Sequence, residues 1–122
     1  MKEEEIHWLP LPEEHNYPAA LSYLGLLYED KKASDIVKKL LVAPISHFKA
    51  KDIFRASGLS LLGVSNSHVD KDIKKINKGV ELSPLLLVRD SVSDKVIIAD
   101  GYHRMCAVYV FDEDAVIPCK IV

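Results

Sequence analysis

The sequence predicts a single α+β domain, a small mixed β-sheet packed with helices. Three observations carry that reading. Across the first two thirds of the chain, apolar residues recur at helical spacing. Over residues 82–122 the pattern changes to short, near-continuous apolar runs separated by turn residues, as expected of strands covered on both faces. A chain of 122 residues, 48% of them hydrophobic and 28% charged, supplies one core.

The elements follow in order. Residues 1–15 hold three successive glutamates together with Pro10 and Pro12. They are expected to run extended over the surface, with Ile6, Trp8, Leu9 and Leu11 as anchors. Asn16 is a good N-cap and Pro18 suits a first helical turn. Leu21, Leu24 and Tyr28 then place a helix over 18–28. Ser34 caps a second helix through Val42, with Ile36, Val37, Leu40 and Leu41 on one side and Pro44 as its stop. Residues 45–49 alternate weakly, as a short strand would. Residues 50–57 read as a helix closed by Gly58.

The stretch 58–66 is apolar yet contains Gly58, Gly63, Ser60, Ser65 and Asn66. It is expected to be a loop that packs tightly or lies beside a ligand. Ser67 with Asp70 fits the capping-box pattern, and Val69, Ile73 and Ile76 stripe a helix that ends at Gly79. Residues 82–90 form a strand, 91–94 a turn and 95–100 the antiparallel partner. Gly101 breaks the run, 102–110 is helical, Asp112, Glu113 and Asp114 connect, and 116–122 is a last strand. Residues 1–44 thus form an N-terminal extension with two helices, and 45–122 the remainder of the domain.

Composition excludes several classes. The longest apolar run, Leu85 to Val88, is far too short to span a bilayer. The acidic N-terminus lacks the apolar stretch of a secretion signal. Cys106 and Cys119 sit in apolar surroundings and are expected to be reduced and buried, so a cytoplasmic protein is the natural expectation. Neither belongs to a Cys-x-x-Cys or His-x-x-His pair, and no metal site is expected. A net charge of −2 argues against a general nucleic-acid binder. The lysines of the middle third read mainly as solvated helix faces, and His7, His15 and His47 as exposed or hydrogen-bonded histidines. Trp8 and Tyr17, with the prolines, read as one aromatic cluster packed on the core. The acidic runs 3–5 and 112–114 read as solubilising surface.

The residues that carry chemistry stand at the strand-to-helix junction Asp100, Gly101, Tyr102, His103 and Arg104. A strand passing directly into a helix presents the helix's first N–H groups, and the macrodipole favours an anion there. Gly101 lacks the Cβ that would hold a ligand off the backbone. His103 and Arg104 place two cationic side chains in a first turn, where they oppose the dipole; a bound phosphate or carboxylate would resolve that conflict. A solvent-facing Arg104 could fork two phosphate oxygens, and His103 could donate one bond or shuttle a proton. The plainer alternative has Asp100 capping the helix and Arg104 pairing with Asp112 or Asp114.

Residues 96–107, followed by the Ile117, Pro118 strand, resemble the ParB/sulfiredoxin superfamily. In that family a strand leads into a Gly-x-[His/Arg]-Arg turn at a helix N-terminus, and a strand containing Ile-Pro follows. Pro84 before its apolar run is similar to the family's preceding strand. The likeness is specific over 82–122 and extends at most over 45–122.

It implies a ParB/sulfiredoxin-like fold that binds ATP or CTP with Mg²⁺, or another phosphorylated small molecule. Gly101, Tyr102, His103 and Arg104 would then face the phosphates, helped by basic and hydroxyl residues from earlier elements: Lys49, Lys51, Arg55, Ser65, Ser67 and His68. Phosphotransferase or nucleotidase chemistry would use Asp100 and His103 as its catalytic pair. The sulfiredoxins carry a reactive cysteine where Tyr102 stands, so sulfinic-acid reduction is not expected. The partition proteins carry Glu-Arg-Arg and a DNA-reading helical domain, so DNA binding is not expected either. The alternative implied by the same likeness is a non-enzymatic interaction or regulatory module that acts through a protein partner.

Overall fold

The structure, a computed structural model, describes residues 5–122; most of the acidic run 3–5 lies outside the described residues. Among the described residues are five helices and four strands: α1 Asn16–Leu27, α2 Asp30–Val42, β1 Ser46–Lys49, α3 Ala50–Ser57, α4 Ser67–Asn77, β2 Leu85–Asp90, β3 Lys95–Asp100, α5 Tyr102–Phe111 and β4 Val116–Ile121. The strands form one mixed sheet in the order β1-β4-β2-β3. The hairpin β2–β3 is antiparallel, β1–β4 is antiparallel, and β2 and β4 run parallel. The domain is α+β, as its apolar pattern predicts. No helix of the described residues is long and apolar enough to cross a membrane.

The period of two along β2 divides the core between two faces. Leu85 and Leu87 pack with Ile53 of α3, Val69 and Ile76 of α4 and the buried residues of α5. Leu86 and Val88 pack on the opposite face with Ala20 and Leu24 of α1 and Ile36, Val37 and Leu40 of α2. The sheet is therefore sandwiched between two helical layers, and Leu85, Leu86 and Leu87 are all fully buried. In α5, Met105, Cys106, Ala107 and Val108 are buried in succession, so this helix is enclosed on every side except at its ends.

Several expected details differ, each for a local reason. α1 begins at Asn16 itself, not at 18, and Asn16 does not cap it. Its buried Oδ1 instead accepts the Glu13 N–H at 3.1 Å and a hydrogen bond from the Ser83 hydroxyl, which ties the N-terminal segment to the strand approach. Ser83 Oγ in turn accepts a second bond from the Glu13 N–H at 3.0 Å. α2 starts at Asp30, four residues before Ser34, with an acidic group in the first turn where the dipole favours it. Leu41 stays half exposed while Ile36, Val37 and Leu40 are buried. Asn66, not Ser67, caps α4: its Oδ1 accepts from the N–H of His68 at 2.9 Å and of Val69 at 3.2 Å. The hairpin strand begins only at Leu85, because Leu82 is drawn into a parallel bridge with Trp8. Leu11 is exposed and anchors nothing. Trp8 and Tyr17 pack in different clusters on opposite faces of the sheet.

At Gly101 the backbone has φ +106°, in the left-handed region, and a Cβ there would stand 2.8 Å from Leu85 Cγ and 2.9 Å from an Arg104 Nη2. Close packing within the protein requires glycine here. Gly101→Ala should therefore destabilise the fold by about 1–3 kcal/mol in urea unfolding. Gly63→Ala, where nothing lies within 4 Å of the added Cβ, should stay within about 0.5 kcal/mol of the parent.

Candidate functional site

β3 delivers Asp100 at its last position, Gly101 turns the chain, and α5 starts at Tyr102. The first intrahelical bond of α5 runs from Met105 N–H to Gly101 O at 2.9 Å, so the N–H groups of Tyr102, His103 and Arg104 precede the ladder. Arg104 is not solvent-facing. Its side chain is 17% exposed, and Nη2 donates to Asp100 Oδ2 at 2.9 Å and, less closely, to Pro84 O at 3.4 Å. Its Nε is buried and makes no protein hydrogen bond. The ion-pair partner is thus Asp100, one turn back across the glycine, in place of the Asp112 or Asp114 of the plainer alternative. Asp114 is itself bound by Lys51 at 2.7 Å.

The junction opens into a polar cavity of about 300 Å³. One wall is a stripe of α4 formed by His68, Lys71, Asp72 and Lys75. The turn from Asp100 to Arg104 lines it as well, and the rest of the lining comes from Glu13 and His15 with Glu81, Leu82 and Ser83. The rings of His68 and His103 lie 4.8 Å apart between centroids, and the Tyr102 ring lies 5.6 Å from that of His103. The Tyr102 hydroxyl donates to Ser60 O and so pins the 58–66 loop to the start of α5. A second depression of about 430 Å³ shares residues Asp100, Gly101, Tyr102 and His103 and is otherwise lined by Tyr23, Leu59, Ile98 and Ala99.

Of the residues singled out from sequence, Asp100, Gly101, Tyr102, His103, Arg104 and His68 come together in the polar cavity. Lys49, Lys51, Arg55, Ser65 and Ser67 do not line it. Lys49 ends β1, at the opposite edge of the sheet from β3. The first N–H groups of α3 are taken by the connection before β4, Ala50 N–H by Ala115 O and Lys51 N–H by Glu113 O, each at 2.9 Å. The basic groups missed from sequence are Lys71 and Lys75. Their signal was present: residues 68, 71 and 75 fall at i, i+3 and i+7 of one helix, which is one face.

Electrostatics distinguish the titratable groups. His103 has its pKa lowered, chiefly by burial and then by the neighbouring His68, with Asp72 acting weakly the other way. The Tyr102 phenol is pushed up, first by burial and then by Cys106. Burial raises the Cys106 thiol as well and takes Cys119 up to about 12, so both free cysteines are inert at neutral pH. Among the described residues no group of three or more His, Cys, Asp or Glu is disposed to hold a metal ion.

Comparison of the chain with protein-family models, with curated proteins and with solved structures finds no match in any of the three.

The depressed His103 pKa has a consequence for stability. Below about pH 6.5 an unfolded histidine takes up a proton more readily than His103 does, so the fold loses stability as pH falls from there towards the depressed folded value. Urea unfolding at pH 7.5 and 5.5 should show a loss for the parent and a smaller loss for His103→Asn. An equal loss in the two proteins would contradict the assignment.

Proposed function

We propose that the protein binds a phosphate-bearing ligand at the Asp100–Arg104 turn, with the phosphate seated between the first turn of α5 and the Lys71, Lys75 stripe of α4. The observation that carries this reading is the convergence of a helix N-terminus, two lysines and a pair of histidine rings in tilted contact on one polar cavity. Exposed N–H groups and the helix dipole favour an anion, and the lysines add point charges to it. In the same reading, the strand–turn–helix is a ParB/sulfiredoxin-like unit, and the ligand is ATP or CTP with Mg²⁺ or a smaller phosphorylated metabolite. Mg²⁺ would arrive on the phosphate oxygens, as it commonly does, with at most one or two protein carboxylates beside it. The second depression, with the exposed ring of Tyr23 at its edge, offers an aromatic surface for a nucleobase.

Within a phosphotransferase or nucleotidase, His103 is the proton-exchanging group, since burial keeps it neutral near pH 7. Asp100 has one carboxylate oxygen committed to Arg104, and so positions that arginine. A second reading, a regulatory module acting through a protein partner, is favoured by the exposed Leu59, Leu61 and Val64 of the 58–66 loop and by Leu26, 84% exposed on a helix with no charged residue.

Calorimetry with ATP, CTP and GTP plus Mg²⁺ separates the two. Ligand binding is expected, and Lys71→Ala, at an exposed position, should weaken it about five- to tenfold without changing the melting temperature. Absence of heat with every nucleotide and with inorganic phosphate at millimolar concentration would leave the interaction module as the surviving reading.

A further inference from the structure

The permanently charged groups that line the polar cavity do not by themselves favour an anion. Glu13, Asp72, Glu81 and Asp100 contribute four carboxylates, and Lys71, Lys75 and Arg104 three cations. Two of those cations are engaged within the lining, Arg104 by Asp100 at 2.9 Å and Lys75 by Asp72 at 3.9 Å. Further positive charge near neutral pH can come only from histidine. Of the three histidines in the lining, His15 comes from the N-terminal segment, while His68 of α4 and His103 of α5 bring their rings to 4.8 Å between centroids.

A phosphate beside two imidazoles stabilises their protonated form, and a proton taken up there offsets the excess of carboxylate. Without a ligand, burial and then His68 oppose the charging of His103, and Asp72 acts the other way. Tyr102, whose ring lies 5.6 Å from that of His103, takes no part, since its phenol is pushed up. Two imidazolium rings at such a spacing repel one another, which favours one proton on the pair over two.

We infer that His68 and His103 are a proton-coupled pair that takes up one shared proton as a phosphate enters the cavity. This inference rests on the phosphate-binding reading above. The coupling is reciprocal: the factor by which phosphate strengthens proton binding is the factor by which the proton strengthens phosphate binding. Because the bound anion favours the protonated pair, affinity rises as pH falls. That sign is opposite to the one worked out above for the stability of the fold.

Inorganic phosphate is titrated calorimetrically into the full chain and into His68→Asn/His103→Asn, at pH 7.5 and 5.5. The titration of phosphate itself is common to both proteins, so the ratio of their affinities isolates the histidines. The parent's advantage over the variant is expected to grow about five- to tenfold between the two pH values, the equivalent of roughly one pKa unit. In the parent, saturating phosphate should move the NMR titration midpoint of the His68 or His103 ring up by about one pH unit. That second measurement needs no substitution and decides the matter if the double variant does not fold. A ratio constant to within twofold would overturn the inference and leave the phosphate site standing. Midpoints of both rings that stay in place under saturating phosphate would do the same. If millimolar phosphate binds neither protein at either pH, the phosphate reading itself falls, and the inference with it.

Discussion

The ion pair between Asp100 and Arg104 closes a single turn across Gly101, and the geometry of the site depends on it. Three groups meet there at close range: the carboxylate that ends β3, the guanidinium of the first turn of α5, and the Leu85 side chain that starts β2. Because Gly101 has no Cβ, the arginine can fold back over the turn and reach both Asp100 and the Pro84 carbonyl. An arginine in a first helical turn opposes the helix dipole when it stands alone. Paired with a carboxylate one turn back, that conflict is largely cancelled within the protein. The fold thus supplies one of the anions that the local sequence asks of a ligand. What remains is narrower: a buried Nε on Arg104, the first N–H groups of α5, which precede its ladder, and Lys71 in the lining of the same cavity.

The two helices that frame the cavity are held in different ways. α5 is fixed by burial, with four successive core residues and the Tyr102 hydroxyl tied to the 58–66 loop. α4 is fixed by its apolar stripe, which packs with α5, and by its Asn66 cap, and the adjacent stripe of His68, Lys71 and Lys75 lines the cavity. The third wall is provided by chain far away in sequence. Glu13 and His15 reach it because Asn16, Ser83 and the Glu13 N–H form one hydrogen-bonded junction, and because His7 and Leu9 bond to Leu82 on either side of the Trp8 bridge. The N-terminal segment is therefore part of the cavity, although it reads from sequence as a surface strap.

Legibility followed the range of the interaction. β2, β3, α5 and β4 were readable within a residue or three, since a buried strand or helix is written in a local apolar run. The helix ends at Gly58 and Gly79, both at positive φ, were readable because only glycine adopts that conformation cheaply. Caps failed where two adjacent residues could both serve: Asn66 took the role expected of Ser67, since its amide oxygen reaches two N–H groups at once. Polar contacts between distant elements were not legible at all. Lys120 is buried and donates to Leu41 O at 2.9 Å, close to the C-terminal end of α2 where a cation is favoured. Nothing in the alternation of β4 announces it. The basic wall of the cavity was misassigned for the same reason: which lysines face the turn is decided by how α3 and α4 pack, and α3 uses its N-terminus on the backbone of residues 113–115.

Whether Asp100 and Arg104 act as one clamp on the turn is tested most directly by a double-mutant cycle with Asp100→Asn and Arg104→Gln in urea unfolding. Both side chains are less than one-fifth exposed, at 16% and 17%, so each single substitution should cost about 1–3 kcal/mol by leaving its partner poorly satisfied. The double variant should cost clearly less than the sum, with a coupling of about 1 kcal/mol or more. Additivity to within about 0.3 kcal/mol would show that the two residues act independently, and would contradict a clamp at this turn.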